Sequence, residues 1–174
     1  MNRRNLLKLG SGALIASSAL VGVAHATPVA ASGARRLSFV NTHTGDTFSD
    51  AYWEGGNYVP DAMTAINQVM RDHRSGEAHA IDPRLLDQLH TLKGLVGASA
   101  PYQIISGYRS PATNAALHEQ SSGVATRSLH MDGRVRGVDL PRLRDAALGM
   151  QAGGVGYYEA SDFIHVDTGR VRRW

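Results

Sequence analysis

The chain has 174 residues, no cysteine, and a formal net charge of +3 at neutral pH. The missing cysteines exclude disulfides, a thiol nucleophile and a thiolate-ligated metal. A domain of this length must be held by packing, or by packing plus a metal bound through histidines and carboxylates.

The first residues read as an address label. Arg3 and Arg4 precede Leu6-Leu7-Lys8, an apolar run follows from Leu9 to Ala24, and Ala24-His25-Ala26 closes it with small residues. A basic head, a short apolar stretch and an A-x-A end describe a cleaved export signal over residues 1–26. The paired arginines favour the twin-arginine route to the periplasm, and cleavage would leave no membrane span. Residues 1–26 hold three cations (Arg3, Arg4, Lys8) and no acid, so their removal takes the net charge from +3 to zero. The high pI belongs to the signal, which argues against nucleic acid as a partner of the mature domain.

Residues 27–36 are small and polar and read as a linker, leaving residues 37–174 as the domain. Leu37–Val40 reads as a strand, with a turn over Asn41–Asp46 and a return from Thr47. Met63, Ile66, Val69 and Met70 share a helical face in a segment that ends near Ser75-Gly76. Asp82-Pro83 opens a helix through Leu85, Leu86, Leu89, Leu92 and Val96, stopped at Gly97. Tyr102–Ser106 is a strand, Ser110-Pro111 starts the next helix, and Val138–Pro141 starts another running through Leu148. Gly153–Tyr158 and Phe163–Asp167 read as two arms of a hairpin. The order of elements predicts an α+β domain with a small, mainly antiparallel sheet flanked by helices.

Chemistry concentrates in three segments: Ser106–Pro111, Ser128–Gly133 and Ser161–Asp167. A catalytic zinc site takes about three protein ligands and keeps one position open. His130 and His165 could supply two imidazoles. Arg109 could hold a substrate carboxylate or carbonyl. Asp162 is the first candidate for a general base and Asp167 the second, with Asp167 alternatively orienting His165 from behind.

These segments carry a resemblance. Ser106-Gly-Tyr-Arg-Ser-Pro-Ala-Thr-Asn114, the Ser128–Gly133 stretch, Gly153–Tyr158 and Phe163–Gly169, in that order and ending in Val171-Arg-Arg-Trp174, resemble the zinc D-alanyl-D-alanine metallopeptidase superfamily in its murein endopeptidase K-like branch. The resemblance implies a zinc endopeptidase acting on peptide cross-links of peptidoglycan. It implies His130 and His165 as metal ligands, Asp162 as the acidic residue three positions before the last ligand, and a substrate groove around Arg109 and Tyr108.

The chain departs from the family at one ligand. The pattern of His, six residues and Asp puts the third ligand at Gly137, which points to an internal deletion near Arg134–Arg136. Asp139 is the tentative substitute, although Asp139 before Leu140-Pro141 also reads as a helix N-cap. Asp132, across a tight turn from His130, reads as facing solvent. A chain without the carboxylate would be an impaired peptidase, or a non-catalytic peptidoglycan-binding protein of the same fold.

Overall fold

The computed structural model describes residues 33–120 and 130–174, all within one compact unit, Ala31–Trp174. The export signal read at 1–26, most of the linker read at 27–36, and Ser128-Leu129 lie outside the described residues. Among the described residues, no helix is long and apolar enough to cross a membrane.

The elements run β1 (Arg35–Asn41), β2 (Thr47–Glu54), β3 (Asn57–Tyr58), α1 (Pro60–Val69), α2 (Pro83–Leu95), β4 (Tyr102–Ser106), α3 (Pro111–Gln120), β5 (His130–Val135), α4 (Leu140–Met150), β6 (Gly154–Tyr158), a single 3-10 turn (Glu159–Ser161), β7 (Phe163–Asp167) and β8 (Arg172–Arg173). The strands form one sheet in the order β3-β2-β1-β4-β5-β7-β6-β8. The α+β class holds. Among the described residues the sheet is mostly antiparallel, as expected, but it is not small: it has eight strands, and β1 pairs with β4, and β6 with β8, in parallel. Strand β1 also begins inside the stretch read as linker, at Arg35.

Local sequence explains most elements. In α2 the Asp82 side chain accepts from Arg84 N–H, Pro83 opens the first turn, and Leu85, Leu86, Leu89 and Leu92 are buried. Burying each such leucine contributes about 1.5–3 kcal/mol. Helices α2 and α4 pack against each other and on the sheet, enclosing Phe39, Tyr102, Ile104, Met131, Val135, Ile164 and Val166.

Helix α1 stops at Val69 with Met70 as its C-cap, short of the Ser75-Gly76 end read from the sequence. The cause is Asp72, whose carboxylate accepts from the backbone N–H of Arg74 and of Ser110 (both 2.9 Å). Such side-chain bonds offer the backbone an alternative to the helix. Asp72 is buried, and it ties the chain leaving α1 to the loop between β4 and α3.

The hairpin of β6 and β7 forms as the sequence indicates, with Gly156 opposite His165. Strand β5 is the main addition. Met131 and Val135 enter the core, so His130, Asp132 and Arg134 alternate onto the opposite face.

Candidate metal centre

Two adjacent strands build the site. In the antiparallel ladder of β5 and β7, His130 lies opposite Asp167 and Asp132 opposite His165. Residues facing each other in such a ladder share a face, so two imidazoles and two carboxylates meet on one patch of sheet. Three of the four, His130, Asp132 and His165, present ligand atoms that all lie within 4.8 Å of one another. The two imidazole rings stack with centroids 4.8 Å apart.

His165 is gripped from both sides. Its Nδ1 is 2.8 Å from Asp132 Oδ1, and its Nε2 is 2.9 Å from Asp167 Oδ2. Asp167 in turn accepts from Gly154 N–H at 3.0 Å, from Gly169 N–H at 2.8 Å, and from both terminal nitrogens of Arg172. Burial pushes its carboxyl pKa up, but Arg172, His165 and the two backbone donors outweigh burial and hold it well below the usual carboxylate range. With its acceptor positions filled, Asp167 has no free lone pair for a proton from elsewhere. It fixes the His165 ring.

Asp132 does not face solvent. Burial again raises its pKa, while the bond from His165 and the nearby guanidinium of Arg109 are among the contacts that lower it further, so it stays ionised. Its Oδ2 is 3.6 Å from His130 Nε2. Arg109 donates to the same His130 nitrogen at 3.2 Å. Arginine has no acceptor, so that nitrogen carries a lone pair and His130 is neutral. Burial, together with repulsion from His165 and Arg109, lowers the His130 pKa to about 4. A neutral imidazole and an ionised carboxylate are the protonation states that metal binding demands.

The group can hold a divalent ion once that ion displaces the Nδ1 proton that His165 donates to Asp132: two ring nitrogens and a carboxylate oxygen, with Asp167 as an outer carboxylate on one ring. The remaining sequence candidates are spread around it. Asp139 occupies the N-cap position of α4, outside the group, and its side chain makes no capping bond. Arg109 reaches His130, on a loop anchored by Ser110 N–H to Asp72 and by Tyr108 N–H to the Met70 carbonyl. Tyr108 itself turns away, bonding Glu77 through its hydroxyl (2.9 Å) and stacking on His79. Asp162, in a left-handed conformation (φ 54°), pairs with Arg134, which also donates to Gln103 Oε1 at 2.9 Å.

Asp132 is the member of this group that the sequence reading set aside as facing solvent. The signal was there: His130-Met131-Asp132-Gly133-Arg134-Val135 alternates polar and apolar with a period of two. Gly133 obscured it by suggesting a turn. In the structure this glycine allows close strand pairing, since a Cβ there would run into the Gln103 carbonyl of β4.

Comparison with known proteins follows the same line. Residues 29–174 match the family profile described as peptidoglycan L,D-endopeptidase MepK. The chain is 43% identical over 178 residues to the peptidoglycan L,D-endopeptidase MepK of Escherichia coli strain K12, covering 99% of this chain and 97% of the relative. It is 37% identical over 183 residues to the probable peptidoglycan L,D-endopeptidase MepK of Haemophilus influenzae, covering 99% and 95%. No solved structure matches.

Proposed function

The chain belongs to the peptidoglycan L,D-endopeptidase MepK family, and from that premise we propose that it is a zinc-dependent endopeptidase of the periplasm that cuts peptide cross-links of peptidoglycan, with His130, Asp132 and His165 holding the ion. One observation carries the reading: two imidazoles and a carboxylate converge on one sheet face with all ligand atoms within 4.8 Å. Residues 1–26 serve as the twin-arginine export signal, consistent with a substrate in the cell wall.

When bound, zinc supplies Lewis acidity, bringing the pKa of water towards about 7 and polarising the scissile carbonyl. The chain's own residues do the rest. Asp167 locks the His165 ring through Nε2, so that Nδ1 points toward Asp132. Arg109, beside His130, offers guanidinium donors to a substrate carboxylate or carbonyl oxygen. Asp162 is the proton acceptor: it stands at the end of the turn preceding β7 and pairs with Arg134, leaving more acceptor capacity than the saturated Asp167 has. Tyr108, held to Glu77 by its hydroxyl and stacked on His79, steadies the loop that carries Arg109.

The binding-only alternative rested on a missing carboxylate. Asp132 fills that role in this reading, so the alternative loses its motive. The test is cleavage of purified cross-linked muropeptides by residues 27–174, with zinc, with chelator, and as Asp132→Asn and His165→Ala. Zinc-dependent cleavage lost in both variants is expected; cleavage that persists in either would overturn the assignment.

A further inference from the structure

Next to the metal centre lies an aromatic feature that the ligand set does not use. Strand β8 adds to the edge of β6, and Trp174 continues it: Tyr157 N–H donates to the Trp174 carbonyl at 3.1 Å, and Trp174 N–H to the Val155 carbonyl at 3.3 Å. The backbone pairing aims the indole at the site. Its ring lies 4.9 Å from the His165 ring, tilted by 57°. Its Nε1–H donates to the Tyr158 hydroxyl at 2.7 Å, and Tyr158 stacks on Phe163 at 4.6 Å. The Arg172 guanidinium that holds Asp167 sits 4.8 Å over the indole.

The floor beneath these rings is bare for a reason. Gly156 faces His165 directly in the ladder, and a Cβ there would come within 2.8 Å of Trp174 Cε2 and 2.9 Å of Tyr158 Cε2. Only glycine lets both rings lie down on the sheet beside His165. Yet Trp174 remains 50% exposed and Tyr158 39% exposed. Rings fixed by backbone pairing, a hydrogen bond and a cation, yet left half in water, suit contact with a ligand rather than with the core.

We propose that Trp174 and Tyr158 form the wall of a substrate subsite beside His165, seating the aliphatic stem of the cross-link residue that flanks the scissile bond. The proposal rests on the endopeptidase reading for the identity of its ligand. The chemistry is that of ring faces against methylenes and Cα–H groups, which needs flat apolar surface and no charge neutralisation. The wall works by holding the peptide, so it bears on substrate binding rather than on the chemical step.

The chain has two tryptophans, Trp53 and Trp174. Trp53 lies on β2, toward the opposite end of the sheet, so Trp53→Phe leaves Trp174 as the sole indole reporter. With chelator present to prevent turnover, titration of a purified cross-linked muropeptide dimer should give a saturable change in Trp174 emission. In steady state with zinc, Trp174→Ala should raise KM roughly 10-fold while kcat and zinc affinity stay within about 2-fold, and Trp174→Phe should recover most of the loss. Gly156→Ala should mimic Trp174→Ala. An unchanged emission with an active enzyme, or a Trp174→Ala variant that loses zinc affinity at constant KM, would overturn the subsite; the latter result would make Trp174 a support for His165. Should the chain cleave nothing, the endopeptidase reading falls, and the emission titration alone decides whether the wall binds the peptide.

Discussion

Asp132 Oδ1 lies 2.8 Å from His165 Nδ1, across a ladder that joins residues 33 positions apart. The contact completes a two-imidazole, one-carboxylate group with a carboxylate that is local to His130, two residues along the same strand, rather than seven residues beyond it.

Asp132→Asn should therefore lower zinc affinity by more than the roughly 10–100-fold that loss of an outer partner costs. Asp139→Asn should leave it unchanged, since that residue sits at the α4 N-cap and makes no capping bond. Metal titration of both purified variants distinguishes them. Equal losses in the two would contradict the placement of the ligand on β5.

Asp167→Asn keeps the shape but removes one negative charge from five hydrogen-bonding contacts, leaving Arg172 without its ion partner. Zinc affinity should fall by about 10–100-fold through a loosened His165 ring. Thermal stability should fall as well, by about 1–3 kcal/mol. Calorimetry with and without zinc separates the two effects; a variant with wild-type affinity would show that His165 needs no orienting partner.

Asp162→Asn should leave metal content intact and reduce kcat by about 10²–10⁴, the usual worth of a positioned proton acceptor. Arg134→Gln, which frees Asp162 from its ion pair, should not reproduce that loss. An Asp162→Asn enzyme with normal kcat would remove this residue from the reaction.

Asp72 makes a prediction in pH. Burial raises its pKa, but donors from Thr113, Ser110 and Arg74 outweigh it and place the carboxyl well below its ordinary value. A depressed folded-state pKa means that this stabilisation is complete above about pH 5, begins to fall near roughly pH 4 where the unfolded chain takes up the proton first, and is lost progressively as pH drops further toward the folded-state value. Asp72→Asn should cost about 1–3 kcal/mol at pH 7 and flatten the acid limb of the stability curve. Urea midpoints from pH 7 to pH 3 read both. Because Asp72 anchors the loop of Arg109 through Ser110 N–H, the variant should also raise KM. A parallel acid limb in the variant would assign the pH dependence to other carboxylates.

Much of this was legible in the residues alone. Helix α2 announces itself through Asp82-Pro83 and its leucine spacing, because cap chemistry and a 3.6-residue period are local properties. The β6 and β7 hairpin and the placing of His165 on a strand follow from period-two alternation in the same way. The metallopeptidase resemblance likewise rests on short ordered segments. Local rules failed where the chain makes bonds to distant partners. Asp72 ended α1 early by reaching Ser110, 38 residues on, and the eight-stranded extent of the sheet came from short strands whose pairing partners lie far along the chain.

The metal centre divides on the same principle. Sequence alone put His130 and His165 forward, since each sits in a segment with its own pattern. It could not choose the carboxylate, because a glycine after Asp132 reads equally as a turn or as a place where two strands come close. That choice belongs to the register of β5 against β4 and β7: the Gln103 carbonyl packs against Gly133, the strand continues through it, and its alternation carries Asp132 onto the face of both histidines.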